Sequence, residues 1–250
     1  MLSPRPAQQE MDAYYAAMDY GMASLAESIA LDLGHYPDSV QDARRIIAQL
    51  LVYAEGKRFM DIGAGIGFFS REAVQQGFSV TALEPNPHSA AGFEEQVGFA
   101  PLQEVFNEQI AGLYNDTQDV VLLSQVLEHV CDVESMVDGL SRVLVKGGVA
   151  AIAVPHFGSL LSRAQGRHDM YISPPEHVNY FSIQGLNALF QRHGFECIAV
   201  HTVSKVPREK IQKKHPSVLG KTAWRGAYAL LKLSEWFDRG MIINAYYRKK

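Results

Sequence analysis

Apolar residues recur every three or four positions along the first part of the chain. From Met11 this series continues until Gly34, a pattern typical of an amphipathic helix that ends at a glycine. Ser39, followed three residues later by Asp42, resembles a capping box and begins a second helical pattern that ends near residue 53. We therefore expect residues 1–56 to form an N-terminal helical cap.

After residue 56 the pattern changes to short apolar runs that alternate with amphipathic segments. The runs predict seven strands, at 58–62, 79–83, 101–105, 119–123, 148–154, 196–203 and 241–247. The segments between them predict helices at 68–76, 89–97, 133–144, 183–193 and 221–237. Such alternation is typical of an α/β fold, a doubly wound and mostly parallel sheet covered on both faces.

Two segments of the predicted domain, 57–250, do not follow this alternation. Residues 155–181 have no clear period and are too long for a routine connection, so we expect a functional loop beside the site. Residues 205–240 predict a basic helical insertion before the last strand.

Composition and charge narrow the class of protein. The chain has 250 residues, 47% of them apolar and 20% charged, which is typical of one globular core. The polar N-terminus and the lack of an apolar run of ~18 residues predict a cytoplasmic protein without a membrane span. Two cysteines without close Cys or His spacing exclude a disulfide framework and a structural zinc site.

The net charge of −4 conceals an asymmetry between two parts of the chain. Residues 1–204 hold 11 Lys and Arg against 24 Asp and Glu, whereas residues 205–250 hold 12 against 3. A basic segment of this kind indicates either an anionic partner, such as nucleic acid or lipid headgroups, or a solvated face that complements an acidic body.

The most informative stretch is a predicted strand that leads directly into a glycine loop and a helix. Glycines at 63, 65 and 67 permit a tight turn and let a ligand approach the backbone. A dinucleotide fingerprint needs its third glycine one position later, where this chain has Phe68, which argues against a nicotinamide cofactor. The next strand ends at Glu84, 21 residues after Gly63, where a carboxylate can accept hydrogen bonds from ribose hydroxyls.

Together these motifs resemble those of the class I S-adenosylmethionine-dependent methyltransferases, especially small bacterial enzymes related to the ubiquinone-pathway O-methyltransferases. The resemblance rests on DIGAGIG at 61–67, LEPN at 83–86, DVVLLSQVLEHV at 119–130, LVKGG at 144–148 and PPEHVNYFS at 174–182. It implies a Rossmann-like methyltransferase fold, S-adenosylmethionine as cofactor and S-adenosylhomocysteine as product.

The resemblance also implies where the cofactor binds. Its methionyl part would lie on the glycine loop, its ribose on the acidic motif, its adenine beside the segment after the third predicted strand, and its methionine end beside the fourth. The residues implied are Asp61, Gly63, Ala64, Gly65, Gly67 and Phe68, then Glu84, Pro85 and Asn86, then Phe106 and Asn107, and finally Ser124 and Gln125.

Histidines supply the candidate chemistry. Methyl transfer to a hydroxyl gains roughly 10²- to 10⁴-fold from a general base, and histidine suits this role near neutral pH. We take His129, after the fourth predicted strand, and His177, in the loop 155–181, as candidate catalytic residues. A structural role, in which Glu128 and His129 only tie down the loop, is the alternative.

A metal-assisted variant of the site is the second alternative. Methyltransferases that use a metal, including the small-RNA 2′-O-methyltransferases, carry Glu-x-x-Glu-His at this strand and a further histidine downstream. This chain has Gln125 in place of the first Glu, which leaves Glu128 and His129. We therefore expect no metal.

The sequence thus predicts methyl transfer from S-adenosylmethionine to a small-molecule or glycan acceptor through a hydroxyl. Alternatives are an RNA or nucleotide-linked methyltransferase and a non-catalytic scaffold of the same fold. We expect no nucleic-acid partner, because no aromatic-interleaved basic platform is present. Helix 221–237 is basic and amphipathic and could contact a membrane surface, and Tyr14, Tyr15 and Tyr20 could form a lid.

Overall fold

A computed structural model of the protein describes residues 6, 7, 9–11, 13, 38–205 and 218–250, and only the backbone of 218–224. The strands are β1 (Arg58–Ile62), β2 (Ser79–Leu83), β3 (Gln118–Ser124), β4 (Leu144–Pro155), β5 (Phe195–Val203) and β6 (Ile242–Lys249). The helices are α1 (Ser39–Tyr53), α2 (Phe68–Gln75), α3 (Pro87–Val97), α4 (Glu108–Leu113), α5 (Val133–Val143), α6 (Leu160–Gln165), α7 (Ile183–Arg192) and α8 (Val218–Glu235). The first predicted helix, with its three tyrosines, and the basic residues 208–214 lie outside the described residues.

The strands form one sheet in the order β2-β1-β3-β4-β6-β5. β1 to β4 pair in parallel, whereas β6 runs antiparallel to both β4 and β5. The chain leaves β1 in one direction to form β2 and then crosses to the other side to form β3. This reversal creates a crevice at the carboxyl ends of β1 and β3, where open α/β sheets bind ligands.

The predicted strand at 101–105 is wrong, so the described part of the chain has six strands rather than seven. Only Leu102 makes a parallel bridge, to Leu83, through two backbone hydrogen bonds of 2.8 and 2.9 Å. Pro101 has no N–H to donate, and Gln103 and Glu104 are exposed. Without an apolar side to bury, this edge segment makes one bridge and no ladder.

Helices cover both faces of the sheet and divide the core in two. One cluster includes Val137 and Leu140 of α5 and Phe190 of α7, and the other includes Ile47 and Leu50 of α1. Because these α1 residues pack with Phe59 and Val120 of the sheet, α1 belongs to the core. Helix α1 therefore shares a hydrophobic core with the sheet, although the expected boundary at residue 56 lies between them.

Gly67 joins the glycine loop to α2 and packs against α3. Its φ of +90° lies in the left-handed region, and a Cβ there would lie 2.6 Å from Val97 Cγ2 and 2.8 Å from Phe93 Cδ2. Both contacts are too short for real atoms. A glycine at this position is therefore required for the conformation and for the close packing of α2 and α3.

We predict that Gly67→Ala lowers the free energy of unfolding more than Gly77→Ala does. Gly77 also has a positive φ, of +79°, but a Cβ there would meet nothing within 4 Å. Both variants acquire backbone strain of about 1–2 kcal/mol, and Gly67→Ala adds overpacking of about 1–3 kcal/mol. Urea unfolding of the two variants measures the difference, and equal losses would contradict the packing argument.

Candidate active site

A cleft of about 880 Å³ opens at the carboxyl ends of β1, β2 and β3. Most of the residues expected to bind cofactor line it, together with one candidate base: Gly63, Ala64, Gly65, Phe68, Glu84, Pro85, Asn86, Phe106, Asn107, Ser124, Gln125 and His129. Asp61, Gly67 and His177 are not among its lining residues. The fold thus brings the sequence motifs together in one cavity and leaves three of the expected residues behind its wall.

Of the three loop glycines, only Gly65 has open space where a side chain would otherwise lie. Gly63, Gly65 and Gly67 all have positive φ. A Cβ on Gly63 would lie 2.6 Å from Val126 Cγ2, so this glycine, like Gly67, faces protein. A Cβ on Gly65 would meet nothing within 4 Å, so Gly65 leaves open a space that a ligand can fill.

The carboxylate of Glu84 fastens this loop to the end of β2. Its Oε2 accepts the backbone N–H of Gly65 at 2.7 Å, and its Oε1 accepts that of Asn86 at 2.9 Å. Asn86 in turn caps α3, because its Oδ1 accepts the N–H groups of His88 and Ser89. A carboxylate has about four acceptor sites, so Glu84 can bind the loop and a ligand hydroxyl together.

Asp61 lies under the loop and is buried. It accepts a hydrogen bond of 2.7 Å from the hydroxyl of Ser70 on α2. Burial, with a smaller contribution from the neighbouring Glu84, raises the pKa of Asp61 to about 7, although the Ser70 hydrogen bond lowers it. The position that the sequence assigned to cofactor binding thus holds β1 to α2 through a hydrogen bond.

The opposite wall is built by the segment before α4. Phe106 is buried against Gly139 of α5, where a Cβ would lie 2.8 Å from the Phe106 ring. Asn107 caps α4, since its Oδ1 accepts the N–H of Ile110 at 3.0 Å. This side chain therefore stabilises α4 while it lines the cleft.

β3 ends in a sharp change of direction that carries its polar residues to the cleft. Gln125 has a φ of 59°, and its backbone N–H donates to the carbonyl of Ala153 on β4 at 2.8 Å. Its side-chain amide donates to the same carbonyl at 3.2 Å. A 3₁₀ turn, Leu127–His129, follows directly and places His129 on the cleft wall.

Two imidazoles lie edge to face here, His129 on the wall and His177 behind it. The ring centroids of His129 and His177 are 4.8 Å apart. Nδ1 of His129 lies 2.9 Å from the carbonyl of Glu176, and Nδ1 of His177 lies 2.7 Å from that of Tyr171. Because a carbonyl oxygen only accepts, each Nδ1 carries the hydrogen and each Nε2 carries a lone pair in the neutral ring. Burial lowers the pKa of His129 to about 4, which keeps it neutral at physiological pH.

The loop 155–181 contacts the 3₁₀ turn and does not line the cleft, among the residues described. It contains α6 and a further 3₁₀ turn, Gly166–His168. Backbone N–H groups of Val178 and Asn179 donate to the carbonyl of Glu128, and the Asn179 amide donates to the carbonyls of Leu127 and Val130. The loop therefore supports His129 from behind.

Glu128 is buried beside the two histidines. Neither of its carboxyl oxygens has a hydrogen-bond partner among the described residues, and burial raises its pKa to about 8. One donor atom from each of Glu128, His129 and His177 lies within 4.8 Å of the others. Carbonyl-held Nδ1 groups and a buried carboxyl are the surroundings that metal-binding histidines have, so these residues fit a divalent transition metal.

The sequence did not identify part of the cleft wall. Ser39 and Asp42 of α1, Val126, Glu134 of α5 and Lys205 also line it. Lys205 forms an ion pair of 2.5 Å with Asp42, which also pairs with Arg45. Asp42 was visible only as part of a capping pattern, and nothing in local spacing joins residues 42 and 205.

A family model described as a methyltransferase domain matches residues 36–200. The protein belongs to the class I S-adenosylmethionine-dependent methyltransferases. The C-methyltransferase NovU of Streptomyces niveus is 26% identical over 183 residues, 68% of this chain and 42% of the relative. The ubiquinone biosynthesis O-methyltransferase of Rhizobium rhizogenes is 33% identical over 103 residues, 40% of this chain and 41% of the relative. The chain thus matches about two fifths of the length of these relatives.

Solved structures show the same fold. An S-adenosylmethionine-dependent methyltransferase from Thermotoga maritima has a TM-score of 0.63 at 20% identity, and the match covers 90% of this chain and 96% of that one. One from Archaeoglobus fulgidus has a TM-score of 0.63 at 14% identity and covers 92% and 100%. S-adenosylmethionine is the methyltransferase's cofactor, and the open cradle at Gly65 beside Glu84 fits it.

We predict that Gly65→Val and Glu84→Ala each weaken S-adenosylhomocysteine binding at least tenfold without unfolding the protein. The first fills the open cradle, and the second removes the carboxylate that holds the loop. Calorimetric titration measures the affinity. Gly77→Val and Glu94→Ala, at an open positive-φ glycine and an exposed glutamate, are the matched controls. Unchanged affinity in both test variants would contradict this assignment of the cofactor site.

We predict that Asp61→Asn flattens the pH dependence of stability. The buried carboxyl stays protonated up to about pH 7 in the folded protein, whereas an unfolded Asp ionises near pH ~4. Between these values the folded state binds the extra proton, so its free energy of unfolding falls by up to about 1.4 kcal/mol per pH unit. Asparagine does not titrate, so the variant gains stability relative to the wild type as pH rises from 4 to 7.

Urea unfolding at several pH values measures this slope, with Glu95→Gln as a control at an exposed carboxyl. Parallel curves for the wild type and Asp61→Asn would show that Asp61 is ionised in the folded protein.

Proposed function

We propose that the methyltransferase methylates a hydroxyl oxygen of a small-molecule or glycan acceptor. The observation that carries this proposal is the His129 imidazole, which is neutral, held through Nδ1 by a backbone carbonyl and placed on the cleft wall. A hydroxyl is a weak nucleophile until it loses its proton, and a neutral Nε2 can accept that proton.

The residues around the cleft would have different roles in such a reaction. S-adenosylmethionine supplies a methyl group made electrophilic by its sulfonium sulfur. The glycine loop at Gly65 would hold the methionyl part, Glu84 would accept from ribose, and Phe106 and Asn107 would flank the base. Ser124 and Gln125 lie at the methionine end, next to the turn that carries His129. Alignment and exclusion of water then supply most of the rate, since no covalent intermediate is needed.

His129 would act as the base and His177 as a positioning residue. The acceptor hydroxyl would give its proton to Nε2 of His129 as the methyl group passes from sulfur to oxygen. The broken sulfur–carbon bond would leave S-adenosylhomocysteine, and the imidazolium would later release the proton to solvent. His177 lies edge to face on this ring, and its own Nδ1 is held by Tyr171. The names of the two relatives include both O- and C-methyltransferases, so support for oxygen comes from the base.

Glu128, His129 and His177 are the residues that would hold a divalent metal, which would lower the pKa of a coordinated hydroxyl. We propose a metal-free reaction, because Glu128 is the one carboxyl among these three residues and Gln125 stands where metal-using methyltransferases carry their first Glu. Gln125 adds no charge, so the cluster carries little negative potential for a cation. Chelator-treated protein should retain full activity. Loss of activity that only added metal restores would show that a metal, rather than the His129 base, activates the hydroxyl.

We predict that His129→Ala lowers kcat at least 10²-fold while S-adenosylhomocysteine affinity stays within twofold, because the base acts only in the transition state. His177→Ala should lower kcat by roughly tenfold through a misplaced His129 ring. A screen of phenols, catechols and sugars for S-adenosylhomocysteine release identifies the acceptor, and mass spectrometry with NMR identifies the methylated atom.

Added imidazole should partly restore His129→Ala, which a structural role for the ring would not allow. His201→Ala, at an exposed histidine of β5, is the control and should keep full activity. A carbon or nitrogen as the methylated atom would contradict the hydroxyl proposal, and wild-type turnover by His129→Ala would contradict the base.

A further inference from the structure

The outer face of α8 is apolar where a surface helix is ordinarily polar. Leu230 and Leu233 are 60% and 52% exposed, and Trp236 and Phe237, in the turn that follows, are 86% and 69% exposed. These four residues, which we name the outer stripe, recur at helical spacing. In most surface helices the apolar stripe faces the core, so this arrangement is inverted.

The inner face explains why α8 keeps this orientation. Ser234 is buried, and the hydroxyl groups of Thr202 and Ser204 at the end of β5 donate to the carbonyls of Glu235 and Leu231. Glu235 accepts the N–H of Ser204 at the end of β5, at 2.5 Å. Polar contacts therefore fix the inner side of α8 to the sheet and leave the outer stripe facing solvent.

A second apolar group lies beside the end of the stripe. Phe157 and Leu160 are also exposed. The N–H of Leu160 donates to the carbonyl of Arg239 at 2.9 Å, and the Arg239 guanidinium donates to the carbonyl of Gly158 at 3.1 Å. These bonds join the start of α6 to the turn after α8, so both exposed apolar groups occur at one corner of the molecule.

Charge indicates the kind of surface that would cover this corner. Arg163 of α6, Arg167 of the 3₁₀ turn after α6 and Arg225 of α8 are exposed. Residues 205–250, which include α8, hold 12 Lys and Arg against 3 Asp and Glu, whereas the rest of the chain is strongly acidic. The exposed arginines would attract an anionic bilayer to this corner.

We propose that the outer stripe, with Phe157 and Leu160, docks the protein on the surface of anionic lipid bilayers. Tryptophan, phenylalanine and leucine beside arginine and lysine are the residues of helices that lie in the bilayer interface. Among the described residues, no helix is long and apolar enough to cross a bilayer. The contact is therefore peripheral, with α8 lying in the plane of the membrane and the aromatic turn entering the headgroup layer.

The test uses the full chain and vesicles of phosphatidylcholine with or without 30 mol% phosphatidylglycerol. We expect cosedimentation with the anionic vesicles, and a partition coefficient at least tenfold lower on pure phosphatidylcholine or in 0.5 M salt, because the attraction is screened. The double variant Trp236→Gln with Phe237→Gln should partition at least tenfold more weakly than the wild type. Its S-adenosylhomocysteine affinity should be unchanged, which shows that the fold is intact.

The matched control is Val52→Gln with Leu113→Gln, which removes two apolar side chains, each 75% exposed, from α1 and α4. It should partition like the wild type.

In Trp224→Phe, Trp236 is the one remaining tryptophan. On binding to anionic vesicles its fluorescence emission should shift to the blue and be quenched by brominated lipid. Absence of vesicle binding by the wild type at 0.15 M salt, or equal binding by both double variants, would overturn the proposal. The proposal would also be overturned if the wild type formed a dimer and bound no lipid, and if only the Trp236/Phe237 variant disrupted that dimer. Self-association would then explain the outer stripe.

Discussion

The carboxylate of Glu84 holds together the parts that make the cofactor cleft. It ends β2, accepts the N–H of Gly65 from the loop after β1 and accepts the N–H of Asn86, whose side chain caps α3. Gly65 has no side chain to pack, so this charge-assisted hydrogen bond and those of Gly63 and Ala64 to the Leu83 carbonyl fix the loop. The shape of the cleft thus depends on one charged group, which also faces the ligand.

Support for the candidate base comes from outside the cleft. A three-residue 3₁₀ turn is a weak platform for a side chain that must be placed within a fraction of an ångström. The loop 155–181 compensates, because the Asn179 amide bridges two carbonyls of this turn and the carbonyl of Glu176 orients the His129 ring. The segment expected as a functional loop beside the site therefore contacts the turn that carries His129, and it does not line the cleft.

Local sequence patterns predicted the features that depend on residues close together in the sequence. The strand, glycine loop and helix from residue 58 to 75 were visible because burial, tight turn and helix start each leave a local signal. The segment at 101–105 contains three apolar residues, but Pro101 lacks an N–H and Gln103 and Glu104 stay exposed, so it makes one bridge beside β2. Asp61 matched a motif, yet its hydrogen bond to Ser70 depends on how α2 returns over β1. The pair of Asp42 and Lys205 spans the chain and has no local pattern.

The position of β6 makes the order of assembly differ from the order of the chain. β6 lies between β4 and β5 and is antiparallel to both, so β5 has no place in the sheet until β6 is present. During synthesis, β1 to β4 and the cofactor loop can therefore pair first, while β5 and its apolar residues wait for a strand that begins 39 residues after β5 ends. An emerging chain would expose the edge of β4 during that interval, which is the period when it most needs protection from other chains.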